Sequence, residues 1–262
     1  MAVSELSDLR RPVALASFSG WNDAGDAATG VLDHLTDIAT TKLVYSLDPD
    51  DYYDFTENRP VLVRSEPDAE RRLQWATTEI LVAALPERDL VLINGPEPNL
   101  RWRAFANALV SALRTAQPER VITMGAMLAD VPHSRPTPVA ENGTDYEGPS
   151  GVVGVLTSAC KTADFEVSSL WASVPHYVAD PPNPKATLAL LRRVEDLLDV
   201  SVDLKDLPQQ ADVWESRVAE LVAEDPDILT YVGELEEHYD NAETTGEEIA
   251  LQFERYLRRR ER

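Results

Sequence analysis

The sequence predicts an α/β sandwich, a sheet with helices on both of its faces. Two observations carry that prediction. Over the first two-thirds of the chain, short apolar runs alternate with longer helical patterns, as strands and helices do when they are taken in turn. Runs such as 61-VLVRS-65 and 89-DLVLING-95 read as central strands covered on both sides. A third observation sets a boundary. Residues 195–262 hold 20 acids against 7 bases, a change of character after about residue 200. The expected organisation is an α/β/α core over 1–200 and a helical C-terminal subdomain over 201–262, placed to clamp over the core or to make an oligomer contact.

Strands are expected at 13-VALAS-17, 42-KLVYSL-47, 60-PVLVRS-65, 89-DLVLING-95, 120-RVITMG-125 and 168-SSLWASV-174. Helices are expected near 24–38, 69–84, 99–116, 149–163 and 184–199. In the first helix Ala27, Val31, Leu35 and Ile38 recur at spacings of four, four and three, which gives one buried stripe. Asp33 and Asp37 lie off it. Phe105, Leu109, Ala112 and Leu113 mark a second stripe. Beyond the boundary, Pro208 and Pro226 punctuate helical patterns at 207–223 and 226–240. Ile249, Phe253, Tyr256 and Leu257 mark a last helix at 244–260.

Composition narrows the function. A net charge of −22 repels phosphate backbones and anionic lipid, so neither nucleic acid nor membrane is an expected partner. The longest apolar runs are too short to span a bilayer. The N-terminus lacks a basic start followed by an apolar block, and a cytoplasmic protein is expected. The single cysteine, Cys160, forms no internal disulfide and reads as a buried thiol.

The stretch 18-FSGWNDAGDAATG-30 leaves a strand and opens a helix. Gly20 and Gly25 have the spacing of a phosphate loop, but Asp26 and Ala27 stand where that loop needs Lys and Ser or Thr. Asn22, Asp23 and Asp26 would oppose a phosphate. As a helix start the segment makes sense: Asp23 is expected at the N-cap and Asp26 at N3, both complementing the positive helix end. Trp21 is either folded back on the core or exposed for contact. Asp23, Asp26 and His133 are possible metal ligands by type, but four scattered histidines give no ligand spacing, so neither metal nor cofactor is expected. No G-x-G-x-x-G occurs, and 148-GPSGV-152 has Val where a nucleophile elbow needs Gly. His176 and Tyr177 read as packing residues.

Two further segments sit at strand ends. In 124-MGAMLADVPHSRPTPV-139 three prolines stiffen a loop that carries His133 and Arg135. Arg135 either joins a site or pairs with an acid such as Asp23 or Asp26. In 94-NGPEPNLRWRAF-105, Glu97, Arg101 and Trp102 would line the same crevice, because ligands collect beyond the carboxyl ends of strands in open α/β sheets. The candidate ligand- or partner-binding set is therefore Gly20, Trp21, Asn22, Asp23, Asp26, Glu97, Arg101, Trp102, His133 and Arg135, with no catalytic residue assigned.

These segments together, with 146-YEGPSGVVGVL-156 and 170-LWASVPHYVADPPNPKA-186, resemble the proteasome assembly chaperone 2 family in its actinobacterial branch, over about residues 10–200. The resemblance implies a three-layer α/β/α sandwich with a mixed sheet, like nucleoside phosphorylases and related hydrolases. It implies homo-oligomers, with a trimer by analogy, and proteasome subunits as partners. It implies no catalytic mechanism. Some relatives dock through a C-terminal hydrophobic residue, then Tyr, then any residue; here the sequence ends 255-RYLRRRER-262. The expected function is a non-catalytic oligomeric interaction or assembly-chaperone-like protein. The alternative is a small-molecule binder or an enzyme of hydrolase, phosphorylase or ligase type, with its site at the strand ends.

Overall fold

The computed structural model of the chain describes residues 3–64, 70–142 and 147–241. Its strands are β1 (Val13–Ser19), β2 (Thr40–Ser46), β3 (Val61–Val63), β4 (Arg72–Gln74), β5 (Glu79–Ala84), β6 (Asp89–Pro96), β7 (Arg120–Ala129), β8 (Val139–Glu141) and β9 (Val167–Pro175). Its helices are α1 (Ala27–Ile38), α2 (Pro49–Tyr52), α3 (Trp102–Ala116), α4 (Val152–Thr162), α5 (Pro184–Leu198), α6 (Leu207–Glu224) and α7 over 226–241. Seven strands form one mixed sheet in the order β2-β5-β6-β1-β7-β9-β8. β6, β1, β7 and β9 run parallel, while β5 and β8 run antiparallel to their neighbours.

Alternation along β1 builds the layers. Val13 and Leu15 face one side and pack with Val31, Leu32 and Leu35 of α1 and Leu190, Leu191 and Val194 of α5. Ala14, Ala16 and Phe18 face the other side and pack with Phe105, Leu109 and Leu113 of α3 and Val153 and Leu156 of α4. Both expected helical stripes are thus core stripes. Cys160 is fully buried in the second layer, and burial pushes its thiol up to about 12. The first residue of α6, Leu207, inserts into the first layer.

Two expectations fail here. The helix expected over 69–84 is replaced by β4 and β5. The run 79-EILVAA-84 fits either period, and pairing decides it: β5 bonds β2 on one side and β6 on the other. The segment read as a covered central strand, 61-VLVRS-65, instead supplies β3, which pairs only with β4 in a separate exposed ribbon. An apolar run shows that a segment seeks cover, and says nothing of where the cover lies. β8, a short edge strand, had no sequence signal. The helices at 207–223 and 226–240 match α6 and α7. The last helix, at 244–260, lies outside the described residues.

Candidate functional site

β1 ends at Ser19, and Gly20 turns the chain at φ 118°, a conformation that suits glycine. Gly25 (φ 64°) and Asp26 (φ 50°) make a second, left-handed turn directly before α1. That turn redistributes the acids. Asp26, expected at N3, occupies the N-cap position and its side chain caps nothing. Asp23 caps α1 from three residues upstream. Its Oδ1 accepts from the Ala28 N–H at 2.6 Å, and its Oδ2 accepts from the Thr29 N–H at 3.3 Å and from the Thr29 hydroxyl. Burial raises the Asp23 carboxyl above its ordinary range, and these hydrogen bonds oppose the shift.

The turn is pinned on three other sides. The Asn22 carbonyl accepts from Ala126 N–H at 2.8 Å, and the Gly25 carbonyl accepts from Asn183 N–H at 2.7 Å. Glu97 makes the third link. Its Oε1 accepts from Asn22 Nδ2 and from the Val152 N–H, both at 2.8 Å. The open first turn of α4 therefore faces the protein's own carboxylate, where another protein would hold an anion. Gly151 is the close approach that permits this: a Cβ there would lie 2.0 Å from Asn22 Oδ1. Of the turn's larger side chains, Trp21 points outward, 69% exposed.

The other candidates go elsewhere. Arg101 precedes α3 at φ 54° and pairs with Asp51 in α2; Trp102, half-buried, begins α3. Arg135 does not pair with Asp23 or Asp26. Its Nε and Nη2 bond Asp240 at 2.7 and 2.8 Å, and its Nη1 lies 3.5 Å from Glu236, both on α7. Sequence spacing hid these partners, which lie 105 and 101 residues away, although the acidic C-terminal composition was their signal. The proline-stiffened loop is thus the seat of α7. Tyr239 adds a hydrogen bond to the Pro136 carbonyl and Tyr231 one to Asp130, both at 3.2 Å.

His133 is buried in this seat. Tyr177 Oη accepts from the His133 N–H at 2.8 Å and lies within hydrogen-bond distance of its Nδ1, at 2.9 Å. Burial and then Lys185 lower the His133 pKa, against Glu215 and Glu236, which raise it. Burial pushes Tyr177 up to about 12. The sign follows. A folded pKa below the unfolded value of about 6.5 gives stability that is fully present above that pH and is lost as the pH falls through it. The melting temperature is expected to fall from pH 8 to pH 5, and His133→Gln is expected to flatten that fall. An equal slope in the variant would refute the assignment.

Residues the sequence reading passed over complete the frame. Asn183 caps α5 through the Ala186 N–H at 3.0 Å, ahead of Pro184 at the first helical position. The segment 182-PNPKA-186 carried that signal. Lys185 bonds the His133 carbonyl and Glu215 of α6, tying α5, the loop and α6 together.

A crevice of about 400 Å³ opens at the carboxyl ends of β1 and β6, lined by Asp26, Asp33, Trp75, Glu79 and Asn94 among others. It lies where the chain leaves adjacent strands towards opposite faces, β1 into α1 and β6 into α3. Burial, then Asp37 and Asp26, raise the Asp33 carboxyl. Among the described residues no cluster of three or more His, Cys, Asp or Glu is placed to hold a metal, and no helix is long and apolar enough to cross a membrane.

The PAC2 family model matches residues 17–222, a span that includes the pinned turn, Glu97 and the α7 seat loop. The chain belongs to the PAC2 family. It is similar to a PAC2 family protein from Streptomyces avermitilis, at 44% identity and TM-score 0.79, over 84% of this chain and 99% of that one. It is also similar to a proteasome-assembly chaperone homologue from Mycobacterium tuberculosis, at 45% identity and TM-score 0.78, with the same coverage of each chain. An archaeal proteasome activator from Pyrococcus furiosus shares the fold at 15% identity and TM-score 0.64, over 82% of this chain and 94% of that one. Among curated proteins none matches. Both relatives at 44–45% are actinobacterial, and the mixed sheet with helices on both faces is the PAC2 fold.

Proposed function

We propose that this PAC2 protein is a non-catalytic, self-associating assembly chaperone that holds proteasome-type subunits on its strand-end surface. The observation that carries the reading is Trp21, held outward while its neighbours Asn22 and Asp23 are buried and bonded inward. Leu100, Met127 and Leu128 are also exposed, at the same end of the neighbouring strands β6 and β7. Exposed apolar surface on a rigid frame marks protein contacts. The polar groups of the motif loops are spent on one another, as a scaffold requires. The names of the relatives supply the partner class.

Co-expression with the α and β proteasome subunits of the same organism, followed by size-exclusion chromatography, tests this. A complex with one subunit type is expected. Trp21→Ala is expected to weaken it roughly 30-fold, the effect of losing a central aromatic anchor, without moving the melting temperature. Absence of any complex with the unaltered chain would overturn the reading.

A further inference from the structure

α3 and α4 lie side by side on one face of the sheet, and a groove of about 490 Å³ opens between them. The exposed Arg103, Asn107, Ser150 and Ser158 line its rims, and the better-covered Ala106 and Val155 its floor. Spacing carries both rims further. Arg103, Asn107 and Arg114 recur at four and seven residues, and Gly154, Ser158 and Lys161 at four and three, one stripe on each helix. Both helices run back from the strand carboxyl ends, so Arg114 and Lys161 continue the two rims at the other end.

The charge of these helices is an exception in the chain. Net charge is −22 overall, and α6 and α7 hold nine acids against one base. α3 and α4 hold Arg103, Arg114 and Lys161 and no acid. The bases of α5 are satisfied, Lys185 by Glu215, Arg192 by Glu195 and Arg193 by Glu141. Arg103, Arg114 and Lys161 join no carboxylate among the described residues. For Arg114 and Lys161 the negative ends of their own helices give a reason. Arg103 has none. It stands in the first turn of α3, where the positive helix end disfavours a cation, and that turn holds no acid. An anion brought into the groove removes that conflict.

Length says which anion. From Arg103 to Arg114 the helix rises about 16 Å. An extended peptide spans that distance in about five residues. A lone phosphate or carboxylate would engage one end only, and the acidity of the rest of the chain repels a nucleic-acid backbone. Between the charged ends, the small side chains of Ala106, Gly154 and Ala159 leave room for apolar groups.

We propose that the α3–α4 groove binds an extended acidic peptide segment of a partner protein. Its carboxylates meet Arg103 at one end and Arg114 and Lys161 at the other, and its apolar side chains rest on Ala106 and Val155. The proposal goes beyond the subunit-holding reading and does not depend on Trp21.

Fluorescence polarisation of the full chain tests it, with a fluorescein-labelled peptide of alternating Glu and Leu, about nine residues long. The same peptide with Gln for Glu is the control. Saturable binding of the Glu peptide alone is expected, weakening as salt rises. Arg103→Glu is expected to weaken it at least about tenfold, and Ser158→Trp, which fills the groove, to do the same. Both positions are exposed, so the melting curve stays in place. Arg217→Glu reverses an exposed base of α6 outside the groove, and is expected to change binding less than about twofold. No binding of the Glu peptide, or equal binding of the Gln peptide, overturns the proposal. So does a loss in Arg217→Glu that matches the loss in Arg103→Glu. Tighter binding of a labelled oligothymidylate would make the groove a nucleic-acid site instead. A fall in sedimenting mass on Arg103→Glu would mean that a second copy covers the groove, and would overturn the proposal as well.

Discussion

Asp23→Ala is expected to destabilise the protein by about 2–3 kcal/mol, with loss of the first turn of α1. The carboxylate serves two backbone N–H groups and one hydroxyl, all buried. Loss of an N-cap acceptor costs about 0.5–2 kcal/mol, and a buried donor left without a partner costs about 1–3 kcal/mol. The sum is reduced because burial already penalises the charged form, as the raised pKa of Asp23 records. Asp23→Asn keeps one acceptor oxygen and sheds the charge, so it is expected to cost about 1 kcal/mol or less. The pH dependence separates the two effects. A carboxyl whose folded pKa lies above its unfolded value gains stability as pH falls through the folded value. That gain is complete below the unfolded value of about 3.9. The unaltered chain should therefore gain on Asp23→Asn as the pH is lowered from 7. Urea unfolding at pH 7 and pH 5 measures this, and a gap that stays constant or widens in favour of the variant would refute it.

What the sequence revealed of this turn was chemistry, and what it hid was geometry. Asp before a helical stripe is a cap in any position from which its oxygens reach the first turn, so the residue type predicted the role. The left-handed pair Gly25 and Asp26 inserts a bend that no spacing rule announces, and it moved the start of α1 downstream while Asp23 kept the capping role. The same division holds elsewhere. The stripes of α1 and α3 were legible because a period of 3.6 is a property of the segment alone. The strand nature of 79–84 was not, because it depends on partners on both sides. The apolar run at 61–63 was visible, and its exposure was not. Of the candidate site, Asn22 and Glu97 converge as strand-end residues of neighbouring strands should. His133 and Arg135 face α6 and α7, whose packing across the strand ends could not be read from a chain of local patterns.

Gly151→Ala is expected to destabilise the protein by about 3 kcal/mol or more. Overpacking a buried position costs about 1–3 kcal/mol when neighbours can adjust. Here the neighbour is Asn22, which is 1% exposed; the added carbon would sit 2.0 Å from its Oδ1 and 2.4 Å from its Nδ2. Asn22 cannot retreat without releasing Glu97, whose Oε1 then keeps only one of its two donors, the Val152 N–H. One methyl therefore strains the link between the β1 turn, the β6 loop and the start of α4. The backbone of Gly151, at φ −83°, tolerates alanine, so the effect isolates packing from conformation. Asn22→Ala alone is expected to cost about 1–2 kcal/mol, because Glu97 keeps Val152 and the Asn22 Oδ1 has no partner to lose. In the double variant the clash is gone. The pair should therefore be less destabilised than the sum of the singles by about 2–3 kcal/mol, the upper part of the coupling range for residues in contact. A double-mutant cycle by chemical denaturation measures that coupling. Additive costs would mean that the glycine is held by something other than Asn22, and that the three loops are not joined through this contact.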